Sequence, residues 1–171
     1  MDSSEQLRQS RLEFYEQDVD EINGILSDFL DASQAKCILL VDREGHLVTK
    51  KGFTKSFDTT SLSALVAASF ASTKAMAEVL GETSFLTLSH QGKSEHIHIA
   101  LVGGRALLVI VFDDRTNLGM VRLYAGEVTS RVVEALAKAD ERIKQRGAPQ
   151  KLQADFEAAA EQRLDDFFGQ Q

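Results

Sequence analysis

Cysteine, proline and tryptophan are almost missing from this sequence, which has one cysteine, one proline and no tryptophan in 171 residues. A single cysteine cannot build a disulfide framework or a thiolate zinc site within the chain, and the apolar run around Cys37 favours a buried thiol. The scarcity of proline and the lack of low-complexity runs favour one domain with a real core, plus appendages.

Positive charge and long apolar runs are also scarce. The 19 basic residues are outnumbered by 26 acidic ones, which gives a net charge of −7. Phosphate backbones and anionic lipids attract clustered lysine and arginine, so we expect no nucleic-acid partner. Because no window approaches the roughly 18 apolar residues of a membrane span, we expect a cytoplasmic protein with no membrane partner.

Hydrophobic spacing predicts three helices in the domain. Apolar residues recur at three- and four-residue steps from Leu12 to Leu30, from Ser61 to Leu80, and from Val121 to Ala139. Thr59 and the two residues after it supply capping hydroxyls for the second helix, and Gly81 ends it.

Five apolar segments predict strands between these helices. They are Cys37 to Val41, His46 to Lys51, Phe85 to His90, Glu95 to Val102 and Ala106 to Phe112. Gly45, Gly103 and Gly104 mark tight turns, so most pairings should be antiparallel. The first and last strands lack polar residues on either face, so we place them side by side at the sheet centre. The prediction is an α/β (α+β) domain with the order helix-β-β-helix-β-β-β-helix.

The helix from Ser61 to Leu80 has too little charge for a surface helix of a monomer. Lys74 and Glu78 are its only charged residues. The stripe predicted to face the sheet is Leu62, Leu65, Val66, Ser69, Thr73 and Met76. The opposite side would present Ala64, Ala67, Ala68, Phe70, Ala71 and Ala75. We interpret this second surface as covered by a protein partner, with a neighbouring helix of the same chain as the alternative.

The two ends of the chain are predicted to lie outside the domain. We expect a flexible N-terminus over residues 1–10, the domain over 11–146, and a linker with an amphipathic helix over 147–171, because Gly147 and Pro149 break the preceding helix. The apolar tail residues Phe156, Leu164, Phe167 and Phe168 would dock in a partner's groove or fold back on the domain.

No residues form a recognisable active site. Arg43, Arg105 and Arg115 lie in turns, where a role as an inserted catalytic arginine competes with bracing of those turns. Asp113 and Asp114 lack a phosphate-binding loop and fit turn and helix-start chemistry.

The sequence also offers three histidines, His90, His96 and His98, as possible zinc ligands. They lack further firm ligands for zinc, and a polar edge strand at a dimer seam explains them better. We therefore expect no catalytic residues, no metal and no cofactor.

Three motifs resemble the Roadblock/dynein-light-chain family. They are the run from Leu40 to Gly45, the segment from Asp58 to Leu62, and the stretch from Phe112 to Arg122. The match extends from the first helix to about Leu136, and within the family it most resembles the bacterial members that regulate gliding motility. The resemblance implies a five-stranded antiparallel sheet with two helices on one face and the second helix on the other.

The resemblance also implies what this protein binds. Such proteins form homodimers and bind the GTP form of a Ras-like small GTPase, one per dimer, stimulating hydrolysis by repositioning the GTPase's own residues in control of cell polarity. The GTPase surface would comprise Ser63, Ala64, Ala67, Ala68, Phe70, Ala71 and Lys74. The dimer interface would comprise Ala64, Ala68, Ser72, Ala75, Phe85, Thr87 and Ser89. The tail would modulate nucleotide exchange.

Two other functions remain open from the sequence. A Roadblock scaffold subunit would bind without accelerating hydrolysis. A ligand-sensing domain would need a cavity between the sheet and a helix, whereas the small side chains of the second helix predict tight closure.

Overall fold

A computed structural model describes residues 16–146 as three helices and five strands. The helices are α1 (Glu16–Ser33), α2 (Thr59–Leu80) and α3 (Leu118–Arg146), and the strands are β1 (Cys37–Asp42), β2 (Leu47–Gly52), β3 (Thr87–Gln91), β4 (His96–Val102) and β5 (Ala106–Phe112). The order confirms the predicted one. The predicted N-terminus and the tail with Phe156, Leu164, Phe167 and Phe168 lie outside the described residues.

The strands form one antiparallel sheet in the order β2-β1-β5-β4-β3. Strand β1 pairs with β5 along its whole length, from Cys37 opposite Val111 to Asp42 opposite Ala106. Every residue of these two strands is buried. The predicted neighbouring position of the two apolar strands is therefore confirmed, with β5 at the centre.

Alternating side chains divide the core into two layers, one on each face of the sheet. On one face, Ile38 and Leu108 pack with α1 and α3. On the other face, Leu39 and Val109 pack with α2 alone. This confirms the arrangement implied by the family resemblance, with two helices on one face and the second helix on the other.

The chain divides into two compact units, Met1–Leu136 and Ala137–Gln171. The first contains the whole sheet. The second is described only for the last turns of α3, where Lys144 and Glu141 form an exposed ion pair at 3.4 Å. Between residues 16 and 146, no helix is both long and apolar enough to cross a bilayer.

The orientation of α2 differs from the predicted one. Its buried residues are Thr59, Ser63, Val66, Ala67, Phe70, Thr73 and Ala77. Leu65 and Met76, predicted to face the sheet, are 66% and 50% exposed, and Ser69 is exposed as well. The outward placement of Ala67 and Phe70 was therefore also wrong.

Small and hydrogen-bonded side chains explain this orientation. The Ser63 hydroxyl donates to the Thr59 carbonyl at 2.7 Å, and the Thr73 hydroxyl donates to the Phe70 carbonyl at 2.6 Å. Their polar groups are satisfied within the helix, so both residues can be buried at little cost. Because hydropathy ranks leucine above serine, spacing alone rotated the predicted stripe. Leu62, Val66 and Thr73 do lie on the sheet side, whereas Leu65, Ser69 and Met76 do not.

The turn between β1 and β2 packs directly against α2. Gly45 is buried at φ +95°, and a Cβ added there would lie 2.9 Å from the Ala64 Cα. The predicted positive φ of Gly45 is confirmed. The Asp42 carboxylate supports the same turn by accepting the backbone N–H groups of Glu44 and His46 at 2.9 and 2.8 Å.

We predict that Gly45→Ala destabilises the domain by roughly 1–3 kcal/mol, since alanine would be strained at this φ and would push against the α2 backbone. The urea midpoint of unfolding measures the loss. Gly126→Ala is the matched control, because Gly126 lies in α3 with nothing within 4 Å of an added Cβ. That change should stabilise the helix by about 0.5–1 kcal/mol. Equal effects of the two substitutions would contradict the packing described.

Candidate protein-binding surface

A regular apolar stripe lies on the side of α2 that faces away from the sheet. Its members follow alternating three- and four-residue steps and are all exposed: Leu65, Ala68, Ser72, Ala75 and Val79. The stripe ends in Val79, which is 86% exposed, and it is widened by Met76 and Leu80. This spacing is the one with which two helices pack along a seam. We call these five residues the outer stripe.

The outer stripe contains residues that the predicted interface omitted. All five residues are exposed. Ala68, Ser72 and Ala75 were predicted to lie in the dimer interface, whereas Leu65 and Val79 were not part of that prediction. Their alternating spacing was present in the sequence and could have identified them. Leu65 was instead predicted to face the sheet, and Val79 was assigned to neither surface.

The neighbouring edge of the sheet is also open. Strand β3 pairs with β4 only, so its other edge has no partner strand within residues 16–146. Leu86, just before β3, is 67% exposed. Leu88 packs in the α2 layer, so by alternation Thr87 and Ser89 point to the opposite face. Of the predicted interface residues near this edge, Phe85 is half-buried and Thr87 and Ser89 are exposed.

Four of the seven predicted GTPase-binding residues lie together on one flank of α2. They are Ala64, Ala68, Ala71 and Lys74, all exposed and at helical spacing. We call these four residues the small flank. The other three, Ser63, Ala67 and Phe70, are buried on the sheet side of α2 and lie outside this exposed flank.

Arg115 belongs to the corner between β5 and α3. Its backbone N–H and its guanidinium both donate to the Asp113 carboxylate, at 3.1 and 2.8 Å. These hydrogen bonds to the Arg115 side chain and backbone hold the pKa of Asp113 below its ordinary value. Asn117 accepts the Met120 N–H at 3.1 Å and caps α3. The structure therefore agrees with turn and helix-start chemistry for this segment.

The other two candidate arginines lie at the far end of the sheet. The Arg43 guanidinium donates to the Gly104 carbonyl at 3.2 Å and so links the β1–β2 turn to the β4–β5 turn. Arg105, in the β4–β5 turn, is half-buried. Of the three, Arg43 and Arg115 are exposed; Arg115 is hydrogen-bonded within its own corner and Arg43 to the neighbouring turn, in keeping with a bracing role.

The three candidate histidines do not converge. His90 pairs with Ile97 in register, so its side chain lies on the face opposite His96 and His98. His98 is buried, with its Nδ1 2.8 Å from the Ser89 hydroxyl oxygen. A different group, Asp42, Glu44 and His46, comes together in the β1–β2 turn. The hydrogen bonds of that turn already engage both Asp42 oxygens.

Cys37 is completely buried in β1. Burial raises the pKa of its thiol to about 11, so the reactive thiolate is scarce at neutral pH. The predicted buried thiol is confirmed.

The fold and this exposed surface define a class of protein. A five-stranded antiparallel sheet, two helices on one face and a single helix with an apolar outer side on the other are the features of a Roadblock-type domain. Residues 21–112 match the Roadblock/LC7 domain, and the chain belongs to that family. No significant match was found among curated protein sequences.

Particular solved structures resemble the chain over most of its length. Myxococcus xanthus MglB is 33% identical, with a TM-score of 0.70 over 75% of this chain and 96% of that one. The gliding protein MglB from Thermus thermophilus is 30% identical, with a TM-score of 0.70 over 75% and 97%. An MglB with a tetrameric arrangement is 30% identical, with a TM-score of 0.72 over 75% and 96%. The chain is thus similar to MglB proteins within the family.

We predict that His98 makes the domain less stable in mild acid. Burial, aided by the charge of Arg122, lowers the folded-state pKa of His98 below 6.5. As the pH falls, the unfolded chain therefore binds the proton before the folded chain does. The resulting loss of stability is absent above about pH 6.5, grows as the pH falls below that value, and levels off below the folded-state pKa. Urea unfolding between pH 7.5 and 4.5 should show a shallower acid loss in His98→Gln than in the parent. Identical profiles would refute this.

Proposed function

We propose that this chain is a homodimeric regulator that binds the GTP form of a Ras-like small GTPase and stimulates GTP hydrolysis. The observation that carries the proposal is the exposed apolar side of α2, which a single copy leaves in water. The similarity to MglB proteins, one of them described as a gliding protein, supports a role in motility or cell polarity.

The dimer is the first step of the proposal. Five large apolar side chains on α2 or just after it are at least half exposed: Leu65, Met76, Val79, Leu80 and Leu86. Monomeric proteins rarely leave such a patch in contact with water. A second copy, packed seam to seam along the outer stripe and continuing to the open β3 edge, would cover it. The MglB with a tetrameric arrangement supports self-association in this group.

The GTPase is assigned to the small flank. Its three alanines allow a protein surface to approach the helix backbone closely, and Lys74 adds one positive charge at its end. The β1–β2 turn borders this flank because Gly45 packs against Ala64. In a dimer, one GTPase would contact the small flanks of both copies, which gives one GTPase per dimer.

The arginines support stimulation without an inserted catalytic residue. Arg115 is hydrogen-bonded to Asp113, and Arg43 is hydrogen-bonded to Gly104. The β1–β2 turn that carries Arg43 borders the small flank, but this hydrogen bond ties the Arg43 guanidinium to the β4–β5 turn. We therefore propose that the dimer acts by repositioning switch residues of the GTPase, a positioning effect rather than chemistry of its own. The predicted role of residues 147–171 in nucleotide exchange remains part of this proposal.

A turnover assay with the Ras-like GTPase of the same organism tests the function. The full chain should accelerate single-turnover GTP hydrolysis and bind the GTP-loaded form in preference to the GDP-loaded form. Ala71→Arg should reduce the acceleration at least tenfold, because it places a long charged side chain in the small flank beside the outer stripe.

Leu123→Arg is the control, since Leu123 is an exposed α3 residue on the other face of the sheet. It should preserve both binding and acceleration. Binding without acceleration by the parent protein would favour a scaffold subunit, and full acceleration by Ala71→Arg would show that the GTPase does not contact the small flank.

A further inference from the structure

A pocket of about 150 Å³ opens between the second half of α2, the loop that follows it, and the β1–β2 turn. Its polar lining comes from Arg43, Thr73, Lys74, Thr83 and Ser84, and its apolar lining includes Phe70 and Phe85. The predicted tight closure of α2 on the sheet therefore does not hold at this end of the helix.

Most of the polar lining keeps donors free for a ligand; the exception is Thr73, whose hydroxyl donates to the Phe70 carbonyl. Arg43 uses one guanidinium nitrogen on the Gly104 carbonyl, which leaves other N–H groups of its planar fork available. Lys74, Thr83 and Ser84 make no side-chain hydrogen bond or ion pair with another described residue. No acidic side chain lines the pocket, although acidic residues outnumber basic ones in the chain.

The apolar lining limits the kind of anion that fits. The Phe70 ring is almost fully buried, and Phe85 and Leu101 are half-buried, so these side chains form fixed walls. A volume near 150 Å³ accommodates a body about the size of a benzene ring. Inorganic phosphate would leave the apolar walls unfilled, whereas a neutral apolar molecule would gain no charge-assisted hydrogen bond from Arg43 or Lys74.

We propose that this pocket binds a small monocarboxylate with a short apolar or aromatic body. The carboxylate accepts from the Arg43 guanidinium, the Lys74 ammonium and the two hydroxyl groups. The apolar body lies against Phe70, Phe85 and Leu101. Charge-assisted hydrogen bonds from two cations favour an anion over a neutral ligand. The volume of the pocket favours a ligand whose apolar part is about the size of a benzene ring.

Titration of the full chain with phenylacetate, followed by amide NMR and calorimetry, tests the proposal. Phenylacetate should bind saturably and shift the amide signals of Thr83, Ser84 and Phe85. Phenylacetamide, which is neutral and nearly the same shape, should bind at least tenfold more weakly, and so should inorganic phosphate. Equal binding of either probe, or no saturable binding of phenylacetate at millimolar concentration, would overturn the proposal.

Two lining variants and a control place the binding in this pocket. Arg43→Gln and Lys74→Gln should each weaken phenylacetate roughly tenfold, the effect of losing one charge-assisted hydrogen bond. Lys93→Gln removes a positive charge in the β3–β4 turn, away from the pocket, and should leave the affinity unchanged.

Equal losses in all three variants would show nonspecific charge attraction and overturn the site. Arg43 also links two turns, so the affinity of a variant is interpreted only if its urea midpoint of unfolding matches that of the parent. Lys74→Gln tests the same pocket without changing that link. The titration contains no GTPase, so its result is independent of the function proposed above.

Discussion

Helix α2 packs on the sheet through small side chains placed around Val66 and Phe70, and this close contact decides which residues reach the surface. Ser63 and Ala67 lie beneath the helix, and Gly45 brings the β1–β2 turn to the Ala64 backbone. Larger residues at these positions would lift the helix away from the strands. Because Ser63, Ala67 and their buried neighbours occupy the inward side, Leu65 and Val79 face water.

The two faces of the sheet are covered unequally. Five strands span roughly 19 Å from the first to the last, whereas one helix with its side chains is only about 10 to 12 Å wide. Two helices cover one face, but α2 alone covers the other. Leu88 and Ile97, in the β3 and β4 strands on that face, remain half-buried. A second copy beside α2 would complete this layer, which is why we connect the outer stripe with the β3 edge.

The same geometry relates the two proposed binding sites. The small flank begins where the β1–β2 turn meets α2 and ends at Lys74, which also lines the pocket. A partner on the flank and a carboxylate in the pocket would therefore both contact Lys74. Occupancy of one site is expected to influence the other through this shared charge.

Much of the fold could be predicted from sequence because its signals are local. The apolar strands Cys37–Asp42 and Ala106–Phe112, the positive φ at Gly45 and the end of α2 at Gly81 each follow from residue type and spacing. The GTPase assignment rested instead on family resemblance, and the dimer assignment rested on that resemblance and on the low charge of the second helix; both remain proposals.

The facing of α2 could not be predicted in the same way. A helix with apolar residues on nearly every side has no clear hydrophobic direction, and the burial of Ser63 and Thr73 depends on hydrogen bonds that only the folded helix reveals. The pocket also escaped prediction, because Arg43 and Thr83 are distant in sequence and meet only through the fold.

The central claim is that a second copy covers the outer stripe of α2. Sedimentation equilibrium of Leu65→Arg and Leu123→Arg tests it most directly, because the two leucines are each 66% exposed but lie on opposite faces of the sheet. The account predicts that the parent and Leu123→Arg are dimers or larger, and that Leu65→Arg is a folded monomer with unchanged circular dichroism. A monomeric parent, or a Leu65→Arg variant that still dimerises like the parent, would contradict it.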